Sequence, residues 1–483
     1  MRGFLKNFLY NFSYQVITIV LPVVTVPYIS RVLGATGVGV YTFSNSIANY
    51  FSIFALIGLN TLGTQRIASA GDDTKKRSSL FFSINIVRLM LLVVISFLYF
   101  LFYFVSLRGH YGVPLMLAQW LFILGASLDT SWFLMGIEKF KLTVMRNLIV
   151  KLVSVILIFT VVNKTNGILA YTLVLNLSSV FGALLLIPLS LSFVDRSGFK
   201  VSNVREILID AIIFFFPTLA TTSYTILNKI LIGVFVGSTA SGFFQQSDTI
   251  IRLVLTFVTT INTVLLPRMA RQSADQDSKL GANGAFSYSV QFVNILIIGA
   301  TFGIFAVADK FVPFFFGSEF VQVIALLKVQ AVSMWFAAIS SLIGWGVLFP
   351  MNMPNKLTRA VGIGAIASIV LTPIFAIWNG VFGATVASLV SEVIVFVVLV
   401  ISSAKIVPLS ILKIGIFKTL ISGVTMFVVI KFVNTLILTS TLTQIVLDVI
   451  LGGLVFLLML ALTKVPLCIT VMNLIKVRGK NNV

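Results

Sequence analysis

The sequence SLFFSINIVRLMLLVVISFLYFLFYFVS, residues 79–106, decides the fold class of this chain. It carries a single charged residue, Arg88. A helix needs roughly 20 apolar residues to cross a bilayer core about 30 Å thick, so this run is long enough to span a membrane. Further apolar runs of this kind follow one another along the whole chain, separated by short polar stretches. The predicted spans are 8–30, 39–62, 79–106, 113–136, 145–163, 167–193, 209–236, 242–266, 285–308, 321–349, 357–377, 380–403, 413–435 and 441–463.

The composition excludes a water-soluble fold. Of the 483 residues, 58% are hydrophobic and 10% are charged, whereas a typical soluble domain is about 25% charged. The runs are continuously apolar and do not alternate, which argues against a β-barrel. The first run follows Arg2 and Lys6 but is too long for a signal-peptide core, so it is interpreted as a membrane helix. The sequence therefore predicts an all-α membrane protein with about fourteen transmembrane helices and no soluble domain.

Membrane topology explains most of the net charge of +20. With both termini placed in the cytoplasm, most Lys and Arg residues fall at cytoplasmic helix ends, as the positive-inside rule requires. The basic clusters are 64–78, 137–146, 196–205, 268–279, 356–359, 405–418 and the tail after Lys464. The predicted location is the inner (cytoplasmic) membrane, and nucleic acid is not an expected partner. One Cys and one His leave no disulfide framework and no His/Cys metal site, and no cofactor is expected.

An internal repeat divides the chain. Residues 39–47, GVYTFSNSI, resemble residues 242–250, GFFQQSDTI. The echoes of Arg31-Val-Leu-Gly in Lys229-Ile-Leu-Ile-Gly, and of Asn60-Thr-Leu in Asn262-Thr-Val, keep the same order and nearly the same offset. Six helices per copy give a parallel repeat, and transporters rock such halves around a shared site. The predicted domains are an N-terminal six-helix lobe at 1–200, a C-terminal six-helix lobe at 201–405, and two additional helices with a basic cytoplasmic tail at 406–483.

Ionisable residues inside a span cost about 2.5–3.5 kcal/mol each at mid-depth, so they suggest function. The basic set is Arg88, Lys151, Lys229, Arg252 and Lys328. For Lys151, Arg88 and Lys328 the alternative is a side chain that snorkels to a helix end. For Arg252 the alternative is an ion pair with Asp248, one helical turn away. Lys229 and Arg252 are therefore the stronger candidates for bases that face a cavity.

The absence of acidic residues from the first two predicted helices indicates an anionic ligand. None precedes Asp72, so the first two predicted helices carry only basic charge. A pump for cationic drugs needs carboxylates in its cavity, whereas Lys and Arg suit an anion such as a diphosphate. Asp129, Asp248 and Glu392 are candidates for coupling transport to a proton or a sodium ion.

The stretch VPYISRVLGATGVGVYTFSNSIANYFSIFALIGLNTLGTQRIA (26–68) resembles the N-terminal signature of polysaccharide repeat-unit flippases. These are the Wzx-type O-antigen and capsule transporters of the multidrug/oligosaccharidyl-lipid/polysaccharide superfamily, to which the MATE transporters also belong. Further matches are NKILIGVFVGSTASGFF (228–244), TTINTVLLPRMA (259–270), FFFGSEF (314–320) and FGATVASLVSE (382–392).

This resemblance implies a MATE-like V of two six-helix lobes plus two extra C-terminal helices. It also implies a substrate, an undecaprenyl-diphosphate-linked oligosaccharide that moves to the external leaflet by alternating access through a cationic cavity. Arg31 and Lys229 match the motif as cavity bases. Arg66 also matches, although its position equally suits a topological role. The family often has Asp-Lys where this chain has Asn228-Lys229, which weakens an ion-coupling role there.

Three other functions stay open at this point. A drug/cation antiporter of the same superfamily is disfavoured by the lack of acids in the first two helices. A polytopic glycan polymerase or transferase usually needs a sizeable external loop or an early acid, and residues 34–38 supply neither, so an enzyme is not expected. A purely structural member of an assembly complex would make little use of five intramembrane bases. The expected partners are the lipid-linked oligosaccharide, the bilayer, and a polymerase with other assembly proteins.

Overall fold

The computed structural model describes residues 2–195, 204–274, 279–351, 353–404, 406–436 and 440–469. Side chains are described in these ranges except at 2–20, 216–218, 220–224, 260–274 and 279–285. All regular secondary structure in the described ranges is helical. The α-helices are α1 Arg2–Leu56, α2 Leu59–Ser69, α3 Thr74–Phe102, α4 Val113–Leu128, α5 Ser131–Gly136, α6 Phe140–Val161, α7 Gly167–Leu191, α8 Val204–Phe235, α9 Ser238–Ala274, α10 Lys279–Phe316, α11 Val323–Ile343, α12 Pro354–Ser403, α13 Leu409–Lys413, α14 Ile416–Leu436 and α15 Thr441–Leu462. Short π-helical segments, Tyr103–Leu107 and Gly344–Leu348, extend α3 and α11.

The helices have the lengths and composition that a membrane requires. Ten helical segments in the described residues are long and apolar enough to cross a bilayer. Two of these segments contain the internal breaks of α1 and α12, so each counts as two helices. With α8 and α9 added, the described residues contain fourteen long helices, the number that the sequence predicted. Large apolar side chains are exposed, for example Phe97 of α3 and Val105 of the π-helical segment that extends it, and lipid accommodates such side chains whereas water disfavours them.

Two of the long helices contain sharp internal breaks at glycine. Gly34 divides α1 with φ 66°, a left-handed value that a side chain disfavours. Asn379 and Gly380 divide α12, and Gly380 also has a positive φ of 55°. Because a single glycine makes the break in α1, the chain needs no loop at 34–38, where the sequence predicted a short external stretch.

Two predicted single spans are interrupted. The span predicted at 39–62 breaks at Ile57 and Gly58, where both residues have positive φ, and α2 continues from there. A Cβ on Gly58 would lie 2.8 Å from the carbonyl oxygen of Ala211, so a side chain there would collide with α8. The span predicted at 113–136 breaks at Asp129, which is extended and separates α4 from α5.

The first compact unit comprises Met1–Gly242. One of its hydrophobic clusters surrounds Trp132 and Phe133 of α5 and draws on α2, α3 and α8. Lipid is as apolar as these side chains, so close packing holds such helices together more than burial does. Gly63 shows this, since a Cβ there would lie 2.8 Å from Cζ3 of Trp132.

The second compact unit comprises Phe243–Val483. The helices α10, α14 and α15 share a hydrophobic cluster that includes Met426, Ile430 and Phe456. Gly299 on α10 admits the Phe456 ring, to which a Cβ at that position would approach within 2.8 Å. The two C-terminal membrane helices therefore pack as part of this unit.

The sequence repeat and the compact units of the structure divide the chain at different positions. The predicted lobe boundary near residue 200 comes from the sequence repeat and stays a prediction. In the structure α8, the first helix of the second repeat, packs on α1, α2 and α3 within the first unit. The predicted basic clusters at 196–205 and 268–279, the tail after Lys464 and the side chains of the echo at 262–264 lie partly or wholly outside the described residues.

Candidate functional site

Helix α8 carries Lys229 and runs along α1 and α2. The α8 seam is defined as the contacts that α8, residues 236–237 and the first residues of α9 (238–242) make with α1 and α2. At the start of α8, Asp210 and Glu206 lie one turn apart on one face, and both contact Arg66 of α2. Arg66 donates a hydrogen bond to Asp210 and lies 3.4 Å from a carboxylate oxygen of Glu206. Sequence analysis missed the two acids, although their spacing of four residues on a helix was a usable signal.

At the other end of the α8 seam, the backbone of α1 lies close to the backbone of the first residues of α9. A Cβ on Gly39 would collide with the backbone of Ser238 and Thr239. A Cβ on Gly242 would lie 2.7 Å from the Cα of Gly39. Gly39 and Gly242 are the first residues of the two repeat motifs, so the two copies of the motif meet at these glycines.

Aromatic side chains complete this end of the seam. The Phe43 ring fills the space that a side chain at Gly233 would need. The rings of Phe43 and Tyr111 have centroids 5.8 Å apart, and the Tyr111 hydroxyl hydrogen-bonds the side chain of Ser238. Burial raises the pKa of Tyr111, and the bond with Ser238 partly offsets that rise, so the phenol stays protonated.

The two bases that the resemblance assigns to the cavity lie on the helices of this seam. Arg31 is exposed on α1, three residues before the break at Gly34. Lys229 is half-buried on α8, one turn before Gly233, and its carbonyl accepts a hydrogen bond from the Ser241 hydroxyl at 2.8 Å. Their role in ligand binding stays a prediction.

Arg88 binds the carbonyl groups at the end of α4. It is fully buried, and its guanidinium donates to the carbonyls of Ser127 at 3.1 Å and Ala126 at 2.7 Å. These carbonyls belong to the last turn of α4, where the helix leaves them without intrahelical partners. The side chain therefore holds the end of α4 where Asp129 interrupts the helix.

Asp129 is also engaged at this break. Its carboxylate accepts a hydrogen bond from the Ser131 amide at 2.7 Å, at the start of α5, and it pairs with Arg146 of α6. The sequence analysis grouped Arg146 with the cytoplasmic charges and so missed this pair. An ion-coupling role for Asp129 stays a prediction, and it would require the carboxylate to exchange these partners.

The candidates of the second unit show a similar pattern. Arg252 and Asp248 form the ion pair that the sequence allowed, with Nε and Oδ2 2.8 Å apart. The Arg252 side chain is 50% exposed and that of Asp248 is 12% exposed, so the arginine retains an accessible face. Glu392 is half-buried on the second half of α12. Within the described residues, no group of three His, Cys, Asp or Glu side chains is placed to hold a metal ion.

A neutral polar network lies in the core of the first unit. Gln119 of α4 donates to the Ser44 hydroxyl at 2.9 Å, and its side-chain oxygen accepts from Asn45 and Asn176, each at 3.3 Å. Buried polar side chains of this kind link membrane helices because lipid offers them no partner. The network was not predicted from the sequence because its members are uncharged, although Ser44 and Asn45 belong to the first repeat motif.

A sequence profile for the family described as "Polysaccharide biosynthesis protein" matches residues 4–273, more than half of the chain. The chain belongs to this family. Two relatives carry the printed name "Putative O-antigen transporter". The one from Escherichia coli K12 is 22% identical over 81% of this chain and 94% of its own length. The one from Shigella dysenteriae is 21% identical over 81% of this chain and 97% of its own length.

Solved structures show the fold of this polysaccharide biosynthesis protein. The inward closed conformation of the lipid II flippase MurJ has a TM-score of 0.74 at 16% identity and covers 94% of this chain and 98% of that one. An inward-facing multidrug resistance MATE family transporter has a TM-score of 0.65 at 13% identity, over 81% of this chain and 95% of that one. The predicted MATE-like class of an all-α membrane protein is confirmed.

Proposed function

We propose that this chain is a flippase that moves undecaprenyl-diphosphate-linked oligosaccharide repeat units across the cytoplasmic membrane for capsule, O-antigen or exopolysaccharide synthesis. The observation that carries the proposal is the match to two proteins named as O-antigen transporters, which spans 81% of this chain and nearly the whole of each relative. The proposal assigns no catalytic step. A polymerase and other assembly proteins are its proposed partners, and both termini are placed in the cytoplasm.

The charges on α1 and α8 support an anionic substrate. No acid precedes Asp72, so α1 offers no carboxylate to a cationic drug. Arg31 and Lys229 lie on the two packed helices of the α8 seam and supply donors that suit a diphosphate. Two of the intramembrane acids, Asp129 and Asp248, are already paired with arginines.

The α8 seam supports alternating access. The contact of Arg66 with Asp210 lies at the end predicted to be cytoplasmic, and the contact of Gly39 with Ser238 lies at the end predicted to be external. A substrate that enters from one side requires α8 to part from α1 or α2 at that side. An inside-negative potential would favour outward movement of a headgroup of charge about −2 by about 4–5 kcal/mol per 100 mV.

The proposal is tested by flipping of fluorescent undecaprenyl-diphosphate oligosaccharide in proteoliposomes. Arg31→Ala and Lys229→Ala are expected to reduce flipping strongly, because each removes a donor to the diphosphate. Arg108→Ala is the matched control, since Arg108 is an exposed base at the end of α3 that lies against the Phe104 ring. Absence of flipping by the wild-type chain with its native glycan would refute the proposal, and equal losses in the control would refute the assigned bases.

A drug/cation antiporter is the second candidate, because the multidrug MATE transporter shares the fold. It predicts that expression of the chain raises drug resistance and that neutralising Asp129, Asp248 or Glu392 abolishes this resistance. Unchanged drug susceptibility together with flipping in vesicles would exclude it. Flipping measured with and without a proton gradient, a sodium gradient and a membrane potential identifies the driving force.

A further inference from the structure

A groove of about 510 Å³ opens on the second unit between α10, α14 and α15. Most of its lining is apolar, with side chains such as Leu296, Met426 and Phe456. The three helices are long and apolar enough to cross a bilayer, and the walls of the groove are apolar, so a hydrocarbon chain fits them.

Glycines on two of these helices keep the groove open. Gly303 on α10 and Gly453 on α15 line it, and a Cβ at either position would meet no heavy atom within 4 Å. Their neighbours Gly299 and Gly452 instead pack on Phe456 and Ile430. The space at Gly303 and Gly453 is therefore part of the groove and is not used by packing.

An ion pair between a buried aspartate and a lysine that is 28% exposed lies at one end of the groove. Asp448 of α15 lines the groove, is 2% exposed, and accepts a hydrogen bond from Asn434 at 3.0 Å. Lys310 of α10 places its Nζ 3.6 Å from Asp448, which is beyond a good hydrogen bond. That Nζ is buried and, among the described residues, has no hydrogen-bond partner.

Two more lysines lie beside this end. Asp309 accepts hydrogen bonds from Lys328 at 2.6 Å and from Lys431 at 3.0 Å. The side chains of Lys328 and Lys431 are 36% and 43% exposed, so both remain partly accessible. Three lysines against two aspartates leave this cluster with one excess positive charge.

We propose that the groove binds a glycerophospholipid with a singly charged headgroup, of the phosphatidylglycerol type. Its phosphate lies against Lys310 and Lys431, and one acyl chain occupies the groove past Gly303 and Gly453. A phosphodiester carries one negative charge, which neutralises the excess charge of the cluster and supplies the acceptor that Lys310 lacks. The inference stands apart from the proposed flipping function, since it concerns a resident lipid of the second unit.

The experiment uses the full-length chain, purified in detergent and delipidated. Palmitoyl-oleoyl phosphatidylglycerol or the matching phosphatidylcholine is added, and retained lipid is counted by native mass spectrometry together with the thermal midpoint of unfolding. The wild type is expected to retain phosphatidylglycerol and to gain thermal stability from it alone. Lys310→Met is expected to weaken this binding by about tenfold, the loss of one charge-assisted hydrogen bond.

Variants that fill the groove test the site without removing a charge. Gly303→Leu and Gly453→Leu place a side chain in the groove and are expected to abolish retention. Gly362→Leu on α12 is the matched control, because a Cβ there also meets no heavy atom within 4 Å and Gly362 does not line the groove. These variants decide the question if Lys310→Met fails to fold.

Three results would overturn the proposal. Equal retention of the two phospholipids would show that the lysine cluster selects no headgroup. Retention that survives both leucine variants would place the lipid elsewhere. Displacement of phosphatidylglycerol by an undecaprenyl diphosphate at equal concentration would assign the groove to a prenyl lipid.

Discussion

Replacing Asp210 by Asn is expected to loosen the α8 seam at its Arg66 end. The substitution preserves the size of the side chain and removes the charge that Arg66 contacts. Glu206 remains 3.4 Å from Arg66, but its side chain is 64% exposed and holds the arginine less firmly. The α8 seam should then separate more often at this end.

The size of the effect follows from the burial of the pair. The side chains of Arg66 and Asp210 are 23% and 35% exposed, so the pair lies between the surface and the interior. Exposed ion pairs contribute about 0.2–1 kcal/mol, and hydrogen bonds to charged groups contribute about 1.5–3 kcal/mol. We expect the substitution to cost about 1–2 kcal/mol, which is about 5- to 30-fold in the equilibrium between packed and separated helices.

The assay uses a cysteine that is introduced at a position buried by the α8 seam. Cys468 is the only cysteine of the chain, so Cys468→Ser provides a thiol-free background. Ala211 is fully buried on α8 next to Gly58, and Ala211→Cys places a small thiol there. The labelling rate with a water-soluble maleimide then reports how often the helices separate. Asp210→Asn should raise this rate about 5- to 30-fold, and Glu206→Gln, the control, should raise it much less.

Charge exchange provides the decisive comparison. The double variant Arg66→Asp with Asp210→Arg should restore slow labelling, because the opposite charges face each other again. The reasoning is refuted if Asp210→Asn labels at the wild-type rate. It is also refuted if the exchanged pair labels as fast as the single variants.

Three further predictions concern packing and burial. Gly39→Ala should cost about 1–3 kcal/mol, because its Cβ collides with the Ser238 backbone, whereas Gly362→Ala should be neutral in the same thermal unfolding measurement. Arg88→Ala should cost about 2–4 kcal/mol by leaving buried carbonyls unpaired; a stable variant that has lost flipping would instead make Arg88 a substrate base. Burial raises the pKa of Cys468, so iodoacetamide should label the native chain only at more alkaline pH than the detergent-denatured chain, and equal pH profiles would contradict this.

Most of the fold was predictable from single stretches of sequence. A run such as 79–106 must be a membrane helix because every backbone group needs an internal partner in lipid. The breaks were less predictable. Gly58 and Asp129 interrupt spans that hydropathy treats as continuous. The first break lies where α8 packs against Gly58. At the second break Arg88 binds the carbonyl of Ser127, and Arg146 pairs with Asp129.

The charged residues show where sequence reasoning about the site stops. The pair of Arg252 with Asp248 could be foreseen, since both lie on one helix one turn apart. The spacing of Glu206 and Asp210 marks one acidic helix face, but that this face contacts Arg66, or that Arg146 contacts Asp129, could not be foreseen, because each pair joins two different helices. Arg31 and Lys229 keep the roles that the resemblance assigned to them as predictions to be tested by flipping.

Hydrophobicity and charge placement act locally, so the linear order of residues was enough to specify a polytopic all-α membrane protein, its number of helices and its basic helix ends. Which helices touch is a cooperative outcome of packing between distant segments. Only the tertiary structure shows that Gly39 meets Gly242, that Arg88 holds the end of α4, and that Lys310 lies beside Asp448 at the end of an open groove. These contacts depend on fits of a few tenths of an ångström and on buried polar partners, which no single stretch of sequence contains.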